Sequence, residues 1–302
     1  MRRLVTLTLV FPALLALAVA RVDAQASSAP AETLRIQTAD GLTLSGEPGL
    51  PGGDGPFPAI ILMHGCGGLP HRAINGWVPV LRGWGYATLV LDSFGGRGLR
   101  EVCTNARTLS GSQRIPDAYA ALATLAGDRR IDRARIVLMG FSHGGIATLR
   151  AATQWAKDRY ARDGTAFRAF FPFYPYCNSS FPEMARVAGP VRIHTGEADD
   201  WTPAKPCEDL AASLRRAGFD VQIRTYKDAP HGFDGVGQAV RHLPQVDNAA
   251  TCFPKLAAID GPVLNMEELG RCLTKGATAG HHAEATAEAR RVVAAQLAEL
   301  SR

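Results

Sequence analysis

Short apolar runs alternate with longer amphipathic stretches along most of the chain. The runs predict strands, because they are short and rich in branched and aromatic residues. The predicted strands are Glu32–Thr38, Leu42–Gly46, Pro58–Met63, Tyr86–Leu91, Arg135–Met139, Phe167–Phe171, Val191–His194 and Val221–Tyr226. The first two flank the turn Ala39-Asp40-Gly41 and predict a hairpin. Most of the later ones are nearly continuous in apolar residues, as strands buried on both faces are.

Helical periodicity separates these runs. The predicted helices lie near Ala73–Trp84, Pro116–Ala126, His143–Tyr160, Ala204–Ala217 and Ala285–Leu300. In the fourth of them, Cys207, Ala211 and Leu214 recur at the spacing of one helical face, and Gly218 follows as a stop. Strands and helices that alternate this regularly predict an α/β fold with a mainly parallel, doubly wound sheet and helices on both faces.

Residues 233–283 break this alternation. The segment is rich in glycine and proline and has poor apolar periodicity. It is too long to be a bare loop inside a compact domain, so we predict a small insertion. The resulting domain map places one α/β domain over residues 27–302, interrupted by the insertion at about residues 233–283.

The first residues have the pattern of a signal peptide. Arg2 and Arg3 precede an apolar run from Leu4 to Ala20, and small residues at alternate positions follow, as a signal peptidase requires. A permanent membrane anchor is the alternative, but the run is short and Pro12 interrupts it. We therefore predict a signal peptide over residues 1–26, export to the periplasm or medium, and no stable membrane insertion after cleavage.

The charge distribution argues against a nucleic-acid partner. The formal net charge is +5, which is ordinary for a soluble protein, and no dense block of lysine and arginine is present.

Six cysteines lie after the predicted signal peptide. An even number in an exported chain predicts disulfides, and sequential order favours Cys66–Cys103, Cys177–Cys207 and Cys252–Cys272 among the possible pairings. A zinc site is the alternative, but the cysteines are scattered and no Cys-x-x-Cys pair occurs. We therefore expect no metal site.

The strongest chemical motif is Gly140-Phe141-Ser142-His143-Gly144. It follows a predicted strand and opens a predicted helix, which is the setting of a nucleophile elbow. Glycines on both sides allow the tight turn that presents the Ser142 hydroxyl above the sheet. The motif predicts Ser142 as a nucleophile near a helix N-terminus, where partial positive charge favours an oxyanion.

A serine nucleophile requires a base and an acid that orients the base. The loop after the strand Val191–His194 carries two candidate acids, Asp199 and Asp200; we prefer Asp199, and Asp200 could instead cap the following helix. His231 follows the last predicted strand, and Gly232 allows the backbone to turn there. The order serine, acid, histidine matches the elbow.

The remaining parts of the site are predicted from neighbouring loops. Backbone N–H groups of His143 and Cys66 are the predicted oxyanion donors, with Gly67 as the alternative to Cys66. Aromatic residues beside the triad positions could line a substrate pocket, and an arginine in the loop after Tyr86–Leu91 could hold a substrate carboxylate. These pocket candidates are Phe141, Trp201, Phe233 and Arg97, with Arg100 as a second arginine.

Four segments together resemble the dienelactone hydrolase family of α/β-hydrolases. They are His64–Gly68, Gly140–Gly145, Gly196–Pro203 and Ala229–Phe233. The resemblance implies an α/β-hydrolase fold, a Ser-His-Asp triad and hydrolysis of a small-molecule carboxylic ester or lactone through an acyl-enzyme, without a cofactor. The founding members use a cysteine nucleophile and carry a glutamate in the first segment, so dienelactone itself is not implied for this chain with Ser142.

Two other functions remain open on the same pattern. A prolyl-oligopeptidase-like exopeptidase shares the order of the triad, although such enzymes usually carry a large additional domain. A non-catalytic binding protein on the same fold is the other alternative, against which all three triad positions hold competent residues.

Overall fold

An eight-stranded sheet forms the centre of the protein in the computed structural model, which describes residues 33–301. Its strands are β1 (Leu34–Gln37), β2 (Thr43–Gly49), β3 (Phe57–Met63), β4 (Ala87–Asp92), β5 (Ile131–Phe141), β6 (Ala169–Phe173), β7 (Val191–Gly196) and β8 (Val221–Tyr226). The strand order is β1-β2-β4-β3-β5-β6-β7-β8. The pairs β1–β2 and β2–β4 are antiparallel, and all other neighbours are parallel. The mainly parallel α/β sheet predicted from the sequence is confirmed.

Helices cover both faces of this sheet. They are α1 (Arg72–Gly83), α2 (Ile115–Ala126), α3 (His143–Ala151), α4 (Gln154–Tyr160), α5 (Ala204–Arg216) and α7 (Ala283–Leu300), whereas α6 (Met266–Cys272) belongs to the insertion. Strand β3 shows the two layers, because Ile60 and Leu62 pack with α1 and α7 whereas Ile61 packs with α2 and α3 on the other face. Alternating side chains of one strand thus fill two cores, as a doubly wound sheet requires.

The single helix predicted over His143–Tyr160 is wrong at its centre. The chain ends α3 at Ala151 and restarts at Gln154, because the backbone N–H of Gln154 donates to the carbonyl of Arg186 at 2.8 Å. The Thr153 hydroxyl then caps α4 by accepting the N–H of Ala156 at 3.2 Å. A contact from a distant segment thus interrupts a helical pattern that continues in the sequence.

The predicted insertion contains regular structure of its own. Strands β9 (Arg241–Asn248) and β10 (Thr274–Ala279) form a separate antiparallel pair, and α6 lies between them. The disulfide Cys252–Cys272 joins the segment before α6 to its last residue. The structure also contains the disulfides Cys66–Cys103 and Cys177–Cys207, so all three sequential pairs are present.

The described residues 33–301 belong to one compact unit. The predicted signal peptide, residues 1–26, lies outside the described residues. Within residues 33–301, no helix is both long enough and apolar enough to cross a membrane.

Candidate active site

Ser142 occupies a sharp turn between β5 and α3. Its backbone has φ 54° and ψ −115°, a strained conformation for a residue with a side chain. The neighbouring glycines make the turn possible, since a Cβ atom on Gly140 would lie 2.2 Å from the carbonyl oxygen of Gly144. A Cβ on Gly144 would in turn lie 2.2 Å from the carbonyl oxygen of Met63. The elbow geometry therefore requires glycine at both positions.

The structure brings the three side chains of the predicted triad together. The Nε2 atom of His231 lies 2.8 Å from the Oγ atom of Ser142, and its Nδ1 atom lies 2.8 Å from Oδ2 of Asp199. Both His231 and Asp199 are buried. With Nδ1–H donating to the carboxylate, Nε2 is free to accept the serine proton.

The two adjacent aspartates have different partners. Asp199 Oδ1 accepts the backbone N–H groups of Trp201 and Thr202 at 2.9 and 2.7 Å, which fixes the carboxylate toward His231. Asp200 turns away, and its Oδ1 accepts the N–H of Thr278 in β10 at 2.7 Å. In the described residues the Asp200 carboxylate forms no hydrogen bond with the first turn of α5, since its bond goes to Thr278.

The hydroxyl of Thr202 is part of the site and was missed in the sequence. Its Oγ1 atom lies 2.9 Å from Asp199 Oδ2, 3.1 Å from His231 Nδ1 and 3.0 Å from the carbonyl oxygen of Tyr174. The spacing Asp-x-x-Thr is the local signal that could have indicated this contact, because such side chains often bond within one turn. Thr202 thus contacts both Asp199 and His231 and helps to hold the two side chains in place.

Two aromatic rings hold the imidazole of His231. The rings of Tyr174 and Trp201 each lie with their centroids 4.8 Å from the His231 centroid. Tyr174 is itself held by Asp234, whose Oδ1 accepts the phenol at 2.7 Å while Oδ2 accepts the indole N–H of Trp77 at 2.7 Å. Burial raises the pKa of Asp234, and these two hydrogen bonds oppose that shift.

The insertion contacts the loop that carries the base. His231 forms a parallel β-bridge with Ala279 at the end of β10, and its carbonyl accepts the N–H of Gly280 at 3.0 Å. Together with the bond between Asp200 and Thr278, this fastens both the acid loop and the histidine loop to one strand of the insertion.

The residues of the predicted oxyanion donors line the same cavity as Ser142. Cys66 and His143 both line it, and within residues 33–301 neither backbone N–H has a hydrogen-bond acceptor. Cys66 is linked by its disulfide to Cys103 in the cavity wall. Gly67 lines only the second compartment described below. Two unpaired N–H groups beside the nucleophile are what an oxyanion hole requires.

The cleft has two compartments that meet at Ser142. The first has a volume of about 500 Å³ and is lined mainly by apolar side chains that include Val102, Ile146 and Leu273, with Arg107 and Lys275 also in its wall. The second has a volume of about 300 Å³ and contains His231 together with the polar side chains Arg72, Gln238 and Arg241. Trp201 lines both compartments, as predicted for a pocket residue.

Three of the predicted pocket residues lie elsewhere. Phe141 and Phe233 are fully buried in the core beneath α1 and α7, because their rings fill the space between the sheet and these helices. Arg97 forms an ion pair with Asp117 at 2.8 Å and lies outside both compartments. Arg100 lines neither compartment.

The chain is similar in sequence to known proteins. The model of the dienelactone hydrolase family matches residues 46–253. A putative carboxymethylenebutenolidase from Methylorubrum extorquens is 27% identical over 201 residues, which cover 61% of this chain and 66% of that protein. The chain spans 38% and 66% of the lengths of the first two curated relatives that it matches.

Solved structures show the same fold. The crystal structure of a putative dienelactone hydrolase from Klebsiella pneumoniae has a TM-score of 0.63 at 17% identity, covering 89% of this chain and 98% of that chain. Thermogutta terrifontis esterase 2 phosphonylated by cyclosarin has a TM-score of 0.55 at 18% identity, covering 69% and 86% of the two chains.

Proposed function

The chain belongs to the dienelactone hydrolase family, and from that premise we propose that it is a serine hydrolase that cleaves carboxylic esters or lactones through an acyl-enzyme. One observation carries the proposal, namely the continuous contact from Ser142 Oγ through His231 to Asp199, with both distances at 2.8 Å. Geometry of this kind is suited to proton transfer from the hydroxyl to the imidazole.

In the first half-reaction, Ser142 Oγ attacks the carbonyl carbon of the ester while His231 Nε2 takes the hydroxyl proton. The negative charge that develops on the carbonyl oxygen is held by the N–H groups of Cys66 and His143. Protonated His231 is stabilised by Asp199 and then gives its proton to the leaving alcohol. The C–O bond breaks, and the acyl group stays on Ser142.

In the second half-reaction, His231 takes a proton from water as the water attacks the acyl carbon, and the acid product leaves with Ser142 restored. Every proton in this scheme passes through a group of this chain, so the scheme requires no cofactor.

The position of His231 orients the substrate. The leaving alcohol must receive its proton from Nε2, so it belongs in the second compartment, which contains the histidine. The acyl group then occupies the apolar first compartment. We therefore propose esters with an apolar acyl group.

The second compartment favours a polar or anionic leaving group. Arg72 and Arg241 are exposed there, and neither forms an ion pair within the described part of the chain. Their positive charges can attract an anionic group on the alcohol part of the substrate. The attraction is modest, because exposed charges are screened by water.

The variant Ser142→Ala tests the proposed function. We expect it to lose hydrolysis of p-nitrophenyl butyrate and labelling by a fluorophosphonate probe while its circular dichroism is unchanged. Ser213→Ala, at an exposed position of α5, is the matched control and should retain both activities. Turnover or labelling retained in Ser142→Ala would contradict the assignment.

The same protein distinguishes the alternatives. Hydrolysis of aminoacyl anilides without hydrolysis of esters would favour an exopeptidase. A wild-type protein that fluorophosphonates do not label would favour a binding role.

We also propose that the protein is exported, to the periplasm or the medium. The three disulfides support this, because such bonds persist in oxidising compartments. The N-terminal sequence of protein recovered from its native host tests the proposal. We expect it to begin after the predicted signal peptide of residues 1–26, and an intact Met1 would contradict it.

A further inference from the structure

Arg114 lies behind the nucleophile elbow, at the junction between a short 3-10 turn (Ser112–Arg114) and α2. It is fully buried. A single terminal nitrogen, Nη1, donates to two acceptors, the carbonyl oxygen of His64 and Nδ1 of His143, both at 2.9 Å. The guanidinium therefore bridges the glycine-rich loop and the first residue of α3.

The two acceptors flank the predicted oxyanion donors. His64 lies two residues before Cys66, and His143 is itself a predicted oxyanion donor that lines the cleft. The loop and the elbow are also in close backbone contact, since a Cβ on Gly144 would lie 2.6 Å from the His64 carbonyl oxygen. Arg114 therefore helps to fix the distance between the backbone N–H groups of Cys66 and His143.

The histidine ring in this bridge is neutral. Burial and then the positive charge of Arg114 lower the pKa of His143 to about 3, against a bond to the carbonyl of Leu109 that raises it. Nε2–H donates to that carbonyl at 2.8 Å, which leaves Nδ1 as an acceptor for Arg114. The ring is fixed from both sides and has one tautomer.

Arg114 is a buried charge without an ion-pair partner. Burial lowers its pKa to about 10, and the charges of Asp117 and Asp92 oppose that shift without either carboxylate forming an ion pair with it in residues 33–301. The ring of Phe94 lies 5.2 Å from the guanidinium carbon. The Nε and Nη2 atoms of Arg114 are also buried without a hydrogen-bond acceptor in that range. A buried charge with unmet hydrogen bonds costs stability. Stability alone therefore does not account for Arg114.

We propose that Arg114 is a positioning residue of the oxyanion hole, holding the Cys66 loop and the His143 backbone at the separation that a tetrahedral oxyanion requires. The inference rests on the proposed function. The positive charge of Arg114 also favours the negative charge that develops on the substrate oxygen, since a buried site screens it weakly.

A matched pair of inhibitors separates this role from a structural one. An aliphatic trifluoromethyl ketone adds to Ser142 Oγ as the serine proton passes to His231, which gives a hemiketal oxyanion in the hole. The corresponding methyl ketone binds the cleft without forming the adduct. The inhibition constant of the trifluoromethyl ketone and kcat/KM for p-nitrophenyl butyrate report stabilisation of the oxyanion. The inhibition constant of the methyl ketone reports binding in the ground state.

For Arg114→Met we expect kcat/KM and trifluoromethyl ketone affinity to fall together by about a hundredfold. Methyl ketone affinity should change by less than about twofold, because ground-state binding does not use the oxyanion donors. Arg114→Lys should restore part of both losses.

The matched control is Arg192→Met. Arg192 is also buried, but its guanidinium pairs with Asp220 at 2.7 Å and contacts neither the oxyanion loop nor the turn that carries Arg114. It should keep wild-type values for the ester and for both ketones.

If Arg114→Met does not fold, His143→Leu tests the same bridge, because it removes the Nδ1 acceptor and keeps the backbone N–H. We then expect parallel losses of about tenfold in kcat/KM and trifluoromethyl ketone affinity, within the range of a weakened donor. Equal losses for both ketones, or wild-type kinetics in the variant that folds, would overturn the inference alone. An inactive wild-type protein would overturn the proposed function as well.

Discussion

The carboxylate of Asp200 accepts the backbone N–H of Thr278 at 2.7 Å, which ties the acid loop to β10 of the insertion. The preceding residue, Asp199, points the opposite way, toward His231 at 2.8 Å. Two consecutive acids thus have different contacts. Asp199 contacts the proposed base, His231, and Asp200 holds the loop against β10.

Replacement of the two aspartates should have unequal effects. Asp199→Asn should lower kcat by about ten thousandfold, because an amide can favour the wrong imidazole tautomer. Asp200→Asn should lower kcat by less than about tenfold, since its amide oxygen can still accept from Thr278. Kinetics on p-nitrophenyl butyrate check the order, and an Asp200→Asn enzyme with the larger defect would reverse the assignment of the acid.

Alanine at two glycines of the site should give opposite outcomes. In Gly144→Ala the new Cβ would lie 2.2 Å from the Met63 carbonyl oxygen, so we expect a stability loss of about 3 kcal/mol and lost activity. In Gly67→Ala no atom lies within 4 Å of the new Cβ, so the variant should keep near-native stability. Urea unfolding of both proteins measures the difference, and a stable Gly144→Ala protein would contradict the packing of the elbow.

The disulfide Cys66–Cys103 should matter for catalysis as well as for stability. Its removal frees a predicted oxyanion donor from the cavity wall, so Cys66→Ser/Cys103→Ser should lose about a hundredfold in kcat/KM, as small misplacements do. Cys252→Ser/Cys272→Ser is the control, because both double variants should lose about 3 kcal/mol of stability. Equal kinetic losses in the two would show that the effect is general loosening.

Buried neutral histidines should make the protein sensitive to acid. Burial lowers the pKa of His194 to about 3, so below its ordinary value of 6.5 the unfolded chain binds a proton that the folded chain excludes. The free energy of unfolding should therefore be highest above pH 6.5 and fall as pH drops toward 3, by at most about 1.4 kcal/mol per pH unit for this group.

His194→Phe isolates this contribution. The ring lies 4.4 Å from that of Phe173, so phenylalanine fits the aromatic stack, although it removes the 2.7 Å hydrogen bond to the Tyr226 hydroxyl and so lowers stability at every pH. The variant should nevertheless lose stability less steeply between pH 6.5 and 4.5. His242→Phe, at an exposed position of β9, should keep the wild-type slope. Asp234, whose raised pKa acts in the opposite sense, is unchanged in both variants. Urea titrations at several pH values make the comparison, and identical slopes would refute the prediction.

Much of this molecule is predictable from local sequence. The apolar runs of β3 and β4 and the elbow at Ser142 are each specified within a few residues, so their positions follow from periodicity and turn chemistry. The strand that ends at Phe141 is longer than predicted, because it begins at Ile131 with polar residues that periodicity excludes.

The remaining features depend on contacts between distant segments. The break after α3 depends on the carbonyl of Arg186. The position of Arg97 outside the cleft depends on its ion pair with Asp117. Arg114 has no motif of its own, since its role depends on two acceptors supplied by other loops. Such contacts leave no periodic trace in the sequence.

The bridge between His231 and Ala279 makes the insertion part of the machinery. A minimal enzyme cut down to the central sheet would leave the loop of His231, the proposed general base, without its contact with β10. Chimeras with related hydrolases should therefore exchange β10 and the histidine loop together. A substitution in either segment would favour a compensating substitution in the other.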